Sequence, residues 1–524
     1  MRLRLPGIKP AALPARNEAQ SLRVTVALPA SYEKARRRRY PLIVLTDARE
    51  LFGSAVEMCR AVAAARETRE CIIVRHDEAW LAPEDAAAEA AHLEQIIAWC
   101  RRAYRVQRGE VALFVSGGGV PCARTLHDRR SKAVDRWIVV AQTPSDTPSA
   151  WCQPPARRAG RRPRVAWTGT ASVPVAFDAS VSVKTLPEAT PAGQVVTALL
   201  HGLRALWGTG HDYGSEVMPL GKPLVAALLR GAMPIIRRLR QSAKAPPANE
   251  SRYRFRSELM DRDFEIFVSL PPRARERRQA YPAVVTLDGS ATWSTCSEIA
   301  LRMAAAGEIE DVVMIGIGVP HEEGEAAFGL RRFEEFSPPA GDAAFTGGLG
   351  RIFESIFALF GQDVRRHFGR APDFHRFIVD ELMPELLRVL PLDPQRLCIA
   401  GHSAGGTFIG FERAQADSPF SRFAVSSPGV SISDNWMLKA DGGLRPGLAR
   451  GRRTIVTMGG EERHNAFNAL AGIPLSAHYA RQLEVLDAGE VEFLCLDGDS
   501  HTTVFPRAFA LAMSRLFASE VRGA

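Results

Sequence analysis

A serine, a histidine and a pair of glutamates carry the chemistry this chain could perform. Ser403 stands in Gly401-His402-Ser403-Ala404-Gly405, a G-x-S-x-G pattern preceded by the apolar run Leu397–Ala400. The run suits a buried parallel strand, and the pattern suits a sharp strand-to-helix turn that presents the serine hydroxyl. The framing glycines are expected because Cβ atoms two residues from a strained nucleophile would collide. Downstream, Thr454–Met458 ends in Gly459-Gly460-Glu461-Glu462, and Val491–Leu496 ends in Asp497-Gly498-Asp499-Ser500-His501. Serine, then acid, then histidine is the order in which such an elbow meets its partners along the chain. His501 would take the Ser403 proton as general base, while Glu461 or Glu462 would hold its tautomer and stabilise the imidazolium. Two N–H donors would then face the developing oxyanion. One is Ala404, directly after the serine; the other is Gly289 or Ser290, in the Asp288-Gly289-Ser290 loop after the strand-like run Ala283–Leu287.

The elements that must position these groups follow from the same pattern. Each site falls at the end of a β-prone run, where open α/β sheets gather their chemistry. Strand-like and helical runs alternate through both halves, as in a parallel sheet with covering helices. Phe374–Leu390 shows the helical type, with Phe374, Phe377, Ile378, Leu382, Leu386 and Leu390 at mostly three- and four-residue steps. The expected fold class is α/β, as two tandem α/β-hydrolase-like domains, each a mostly parallel sheet flanked by helices.

The second half resembles the enterochelin-esterase/esterase D group of α/β-hydrolases. The resemblance is carried by Phe264–Leu270 with Pro271, Tyr281-Pro282 before AVVTLDG, and Asp311–Gly318. Arg331-Arg332 with Phe336-Ser337-Pro338, and Phe377–Leu382 with Met383-Pro384, continue it. Ser426-Ser427-Pro428 and Trp436 are similar to the family's Ser-Pro-x-x-x-Trp region, more widely spaced here. Gly459-x-x-Glu462 matches the acid motif and Gly498-x-x-His501 the histidine motif, so the resemblance favours Glu462 over Glu461. It implies a serine hydrolase of esters, with siderophore esters, acetyl or feruloyl sugar esters and S-formylglutathione among the family's substrate classes. Arg332 and Trp436, with His402 beside the serine and His464 beside the glutamates, are the expected substrate-side residues. Gly341–Arg370 reads as an insertion near the substrate-side loops.

The first half repeats this plan without its chemistry. Tyr40–Asp47 aligns without gaps on Tyr281–Asp288, and Val24–Pro29 on Ile266–Pro271. Val111–Gly119 overlays Leu397–Gly405, which sets Gly117 at the place of Ser403 and Ser116 opposite His402. Val165–Gly169 overlays Ile455–Gly459 with minor adjustment, leaving Ala171 and Ser172 where the acid should stand. Val181–Trp207 follows Val491–Phe517 at a constant offset of 310, with Pro191 in place of His501. The domains are therefore expected at 1–210 (a degenerate copy), 211–250 (a linker) and 251–524 (the catalytic copy). Within the linker, Leu220–Ser242 is apolar then basic and is interrupted by Pro234, which reads as a bridging helix.

Composition narrows the classes further. Of 524 residues, 46% are apolar, enough for two cores. No stretch reaches the roughly 18–20 apolar residues of a membrane span, and the start lacks the apolar core of a secretory signal. Eight scattered cysteines form no C-x-x-C pair. Cys398 and Cys495, on strand-like runs, read as buried small apolar residues, and a cytoplasmic location is expected. No metal-ligand spacing and no cofactor motif is present. The net charge is +9; Arg36–Arg39 and Arg157–Arg164 read as solvated loop charge rather than a nucleic-acid surface. A positive field would favour small anionic esters on encounter. A protein partner or a second copy would dock on the N-terminal domain. An acyltransferase on the same triad, and a non-catalytic binding or scaffold protein built from hydrolase folds, are the alternatives to an esterase.

Overall fold

The computed structural model describes residues 8–12, 23–46, 51–76, 86–116, 120–129, 131–140, 165–169, 181–185, 193, 195–209, 250–275, 279–341, 363, 365, 368–445, 451–464, 472–486 and 489–519. They fall into two compact units, one built on residues 4–212 and the other on 245–524. Each holds an eight-stranded sheet flanked by helices. The N-terminal strands are β1 (Ile8–Ala12), β2 (Arg23–Ala27), β3 (Tyr40–Leu45), β4 (Ile72–His76), β5 (Val106–Val115), β6 (Arg136–Val140), β7 (Val165–Gly169) and β8 (Val181–Thr185). The C-terminal strands are β9 (Glu250–Ser257), β10 (Arg262–Ser269), β11 (Tyr281–Thr286), β12 (Val313–Gly318), β13 (Leu392–His402), β14 (Arg422–Ser426), β15 (Arg453–Gly459) and β16 (Glu490–Leu496).

The two sheets share one topology. Their orders are β1-β2-β4-β3-β5-β6-β7-β8 and β9-β10-β12-β11-β13-β14-β15-β16. In each, the second strand runs antiparallel to both its neighbours, and the central and later strands are parallel. The registers agree down to an irregularity. Tyr40 pairs Val106 and Leu42 then pairs Val111, as Tyr281 pairs Leu392 and Ala283 then pairs Leu397. In the C-terminal unit this bulge contains Pro394, which has no N–H for a ladder and so belongs at such a break.

One window of the sequence alignment needs correction. Trp137 pairs Val165 where Phe423 pairs Thr454, so Val165 occupies the rung of Thr454 and not of Ile455. A strand covered on both faces shows an unbroken apolar run, which fixes no register by alternation. The positions set opposite the catalytic groups (Gly117, Ala171, Ser172 and Pro191) lie outside the described residues, as do the expected bridging helix and Arg157–Arg164.

The C-terminal core sits on both sides of the parallel strands. Phe264 stacks on Phe377 at 4.2 Å between ring centres, and Phe374 meets Phe408 edge-on at 4.9 Å. The helix expected at 374–390 runs from Ala371 to Val389, with a wider turn at Phe377–Leu382. Pro384 follows that turn, and the wider turn relieves the clash its ring would make with a carbonyl four residues back. The outermost strands differ from the centre. Strand β16 is mostly half-exposed, so Cys495 is exposed, contrary to its reading as a buried apolar residue, whereas Cys398 in central β13 is buried. Strand β9 has no counterpart in the sequence reading, because its Arg252, Arg254 and Arg256 interrupt any apolar pattern. Charges of this kind blunt a sheet edge, and here they pair with Glu265, Asp263 and Glu322. The basic run Arg36–Arg39 is exposed in the turn between β2 and β3, with Arg38 paired to Glu70.

Candidate active site

Ser403 joins the end of β13 to the helix Ala404–Arg413 with φ 59° and ψ −120°. A non-glycine residue there carries strain of about 1–3 kcal/mol, held in place by the surrounding structure. The Ser403 N–H donates to the Ser426 carbonyl (2.9 Å) and fixes the turn against β14. The glycine frame differs from expectation in one place. A Cβ on Gly401 would lie 2.9 Å from the Gly405 carbonyl carbon, so Gly401 is required. At Gly405 the nearest atom is 3.6 Å away, ordinary contact, and it is Gly406 that is crowded, 2.6 Å from the Ser426 carbonyl oxygen.

Three side chains from three loops meet at this turn. His501 places Nε2 3.0 Å from the Ser403 hydroxyl and Nδ1 2.9 Å from Glu462 Oε2. Glu462 is buried, and its Oε1 accepts from the Ser427 hydroxyl (2.7 Å) and the Gly459 N–H (2.9 Å). Burial opposes its charge, but the bonds from His501, Ser427 and Gly459 outweigh it and hold the carboxyl below its ordinary value. Glu461 points elsewhere: its Oε2 lies 3.1 Å from Nε2 of exposed His464. With Glu462 ionised, Nδ1 carries the proton and donates to it, leaving Nε2 to accept the serine proton.

The histidine loop is pinned from below. Buried Asp499 pairs with Arg507 (2.6 Å), whose helix Val504–Leu516 begins just after the loop. Ser500 and Thr503 bond reciprocally, each hydroxyl accepting the other's N–H at 3.2 and 2.9 Å. Gly459 allows the acid loop to close on the histidine loop, since a Cβ there would lie 2.5 Å from the Asp499 carbonyl oxygen.

Of the other expected residues, His402 lies against the His501 ring (4.7 Å between centres), with Nδ1 3.0 Å from the Ser426 hydroxyl. Desolvation, then the His501 and Arg332 charges, push His402 well below its ordinary value, so it stays neutral. Arg332 makes a forked pair with Asp288, Nε to Oδ1 at 2.7 Å and Nη2 to Oδ2 at 2.9 Å. Gly289 and Ser290 open the helix Gly289–Ala305 after β11, which is bonded to β13. The Ser290 hydroxyl accepts from the Val319 N–H at 2.7 Å. Trp436 packs on Phe411 at 5.0 Å. The sequence reading did not single out Ser426 and Ser427 individually, although one orients His402 and the other Glu462. Their only signal was the Ser-Ser-Pro segment of the family resemblance.

No family model matches the chain. A stretch of 180 residues is 26% identical to ferri-bacillibactin esterase BesA of Bacillus subtilis (strain 168), covering 34% of this chain and 58% of that protein. The chain thus spans under two thirds of the length of this curated relative. Among solved structures, the BES protein of Bacillus cereus covers 52% of this chain and 96% of its own at 20% identity and a TM-score of 0.42. Siderophore hydrolase EstA of Aspergillus nidulans covers 51% and 94% at 19% identity and a TM-score of 0.43. Among the described residues, no group of three or more His, Cys, Asp or Glu side chains could hold a metal ion, and no helix is long and apolar enough to cross a membrane.

Proposed function

We propose that the C-terminal unit is a serine esterase that cleaves a carboxylic ester through Ser403, His501 and Glu462. The observation that carries this reading is the continuous chain of contacts from Ser403 Oγ through His501 to Glu462. His501 accepts the hydroxyl proton as Ser403 Oγ attacks the carbonyl carbon, and returns it to the leaving alkoxide. An acyl-enzyme remains. Water, deprotonated by the same imidazole, then releases the acid and restores the serine. The N–H groups of Ala404 and of Gly289 or Ser290 stabilise the tetrahedral oxyanion.

The substrate class is a small anionic ester of the siderophore type, supported by the relative's name and the chain's net charge of +9. The N-terminal unit is a second copy of the same fold without chemistry, a reading supported by the shared strand order and the shared bulge. The test is hydrolysis of catecholate trilactones and of short-chain p-nitrophenyl esters, followed by release of free acid. The wild-type chain should turn both over, with preference for the anionic ester, and Ser403→Ala should turn over neither. Undiminished turnover by Ser403→Ala would remove the assignment.

A further inference from the structure

We infer that Arg332 is a positioning residue that keeps the Asp288 carboxylate off the oxyanion donors, an inference that rests on the esterase reading above. Asp288 is the N-cap of the helix Gly289–Ala305 and has left-handed backbone angles, φ 57° and ψ 32°. An aspartate at an N-cap ordinarily accepts from the N–H groups of the second or third helical residue. This one makes no such bond. Its two oxygens are taken instead by the Arg332 fork at 2.7 and 2.9 Å, and Nη2 also lies 3.5 Å from the His402 carbonyl oxygen.

The consequence falls on the reaction. Ala291 and Thr292 donate to the Asp288 carbonyl at 2.8 and 3.1 Å, so the Gly289 and Ser290 N–H groups precede the first intrahelical bond. In the esterase reading one of these two groups joins the Ala404 N–H as the second oxyanion donor. A carboxylate freed from Arg332 would fold back onto its own helix, occupy the Ser290 N–H, the second helical donor, and set a negative charge against the tetrahedral intermediate. The carboxylate already sits beside the nucleophile turn: its Oδ2 lies 3.6 Å from where a Gly405 Cβ would stand, at the start of the elbow helix. Asp288 is buried while the Arg332 side chain is 27% exposed, so the arginine can leave for solvent when its partner is removed. The forked pair has the bidentate geometry that a lysine could not reproduce.

The test compares Arg332→Met, Asp288→Gly and the double variant in the full chain, with ester turnover and the rate of fluorophosphonate attachment as readouts. Glycine is chosen at 288 because it accepts the left-handed angles. Arg332→Met should lose about 10–100-fold in kcat with KM within about threefold, the signature of a lost transition-state donor. The double variant should recover at least about tenfold over Arg332→Met, because no carboxylate remains to block the donors. A double variant as slow as Arg332→Met, with both melting like wild type, would assign the pair a purely structural role and overturn the inference. If Arg332→Met does not fold, Asp288→Gly alone decides. Labelling within about tenfold of wild type supports the inference, and a loss beyond about 100-fold overturns it. Wild-type chain that takes no label at Ser403 overturns the esterase reading itself, and the inference with it.

Discussion

A carboxylate can orient a catalytic imidazole only if it is ionised, fixed and within reach, and adjacent glutamates can differ in all three. Glu462 is buried under three donors and bonded to His501 Nδ1 at 2.9 Å, while Glu461 faces exposed His464. Glu462→Gln should therefore cost about 10²–10⁴-fold in kcat/KM, because an amide can present the wrong group to Nδ1. Glu461→Gln should stay within about threefold, since it removes only a surface contact. Steady-state kinetics on both variants checks this, and the reverse ranking would reassign the acid. Motif spacing carried the serine, the histidine and the acid pair because each ends a β-prone run. It could not carry the supports. Ser427 donates to Glu462 from 35 positions away, and Asp499 and Arg507 pin the loop through a contact that no local pattern announces. Arg332 was an expected substrate-side residue through resemblance, but its engagement by Asp288 depends on a left-handed turn that only backbone geometry reveals.

At the scale of elements, the elbow helix Ala404–Arg413 is fixed at its far end by a buried ion pair. His375 Nδ1 lies 2.8 Å from Glu412 and Nε2 lies 3.1 Å from Asp417. Burial opposes charging of His375, but the hydrogen bonds and charges of Glu412 and Asp417 outweigh it and raise its pKa above the ordinary histidine value. A raised folded pKa gives stability that is full below about 6.5 and fades as pH rises through the folded value. His375→Asn should thus lower Tm more at pH 6 than at pH 9, by thermal melting in matched buffers. Equal losses at the two pH values would show that the pair contributes packing alone. The elements themselves were largely readable, because the central strands are short apolar runs closed by glycine, proline or aspartate. The element that escaped, β9, lies at an edge, and so does β16, which was read as a strand but with Cys495 taken as buried. Charged β9 and half-exposed β16 obey the demands of solvent and of edge protection rather than of a core.

The described residues form two sheets of one topology and, in the proposed reading, one working site. The Tyr-Pro strand match is the sequence signal behind the proposed second copy. The one-residue slip at β7 was invisible in the sequence, because parallel strands buried on both faces lack the alternation that would fix register. Moving Val165 to the rung of Thr454 carries the acid positions to Ser172 and Val173, neither a carboxylate, so the proposal of a silent copy is unchanged. A scaffold or docking role for that copy, toward a protein partner or a second chain, is a proposal that the comparisons leave open to test. The central claim is that Ser403 alone is the covalent nucleophile of the full chain. Treating the intact protein with a fluorophosphonate and mapping the modified peptides by mass spectrometry tests it most directly. The account predicts one adduct, on Ser403, none in the N-terminal unit, and none anywhere in Ser403→Ala. An adduct on another residue, or on Ser403→Ala, would contradict it.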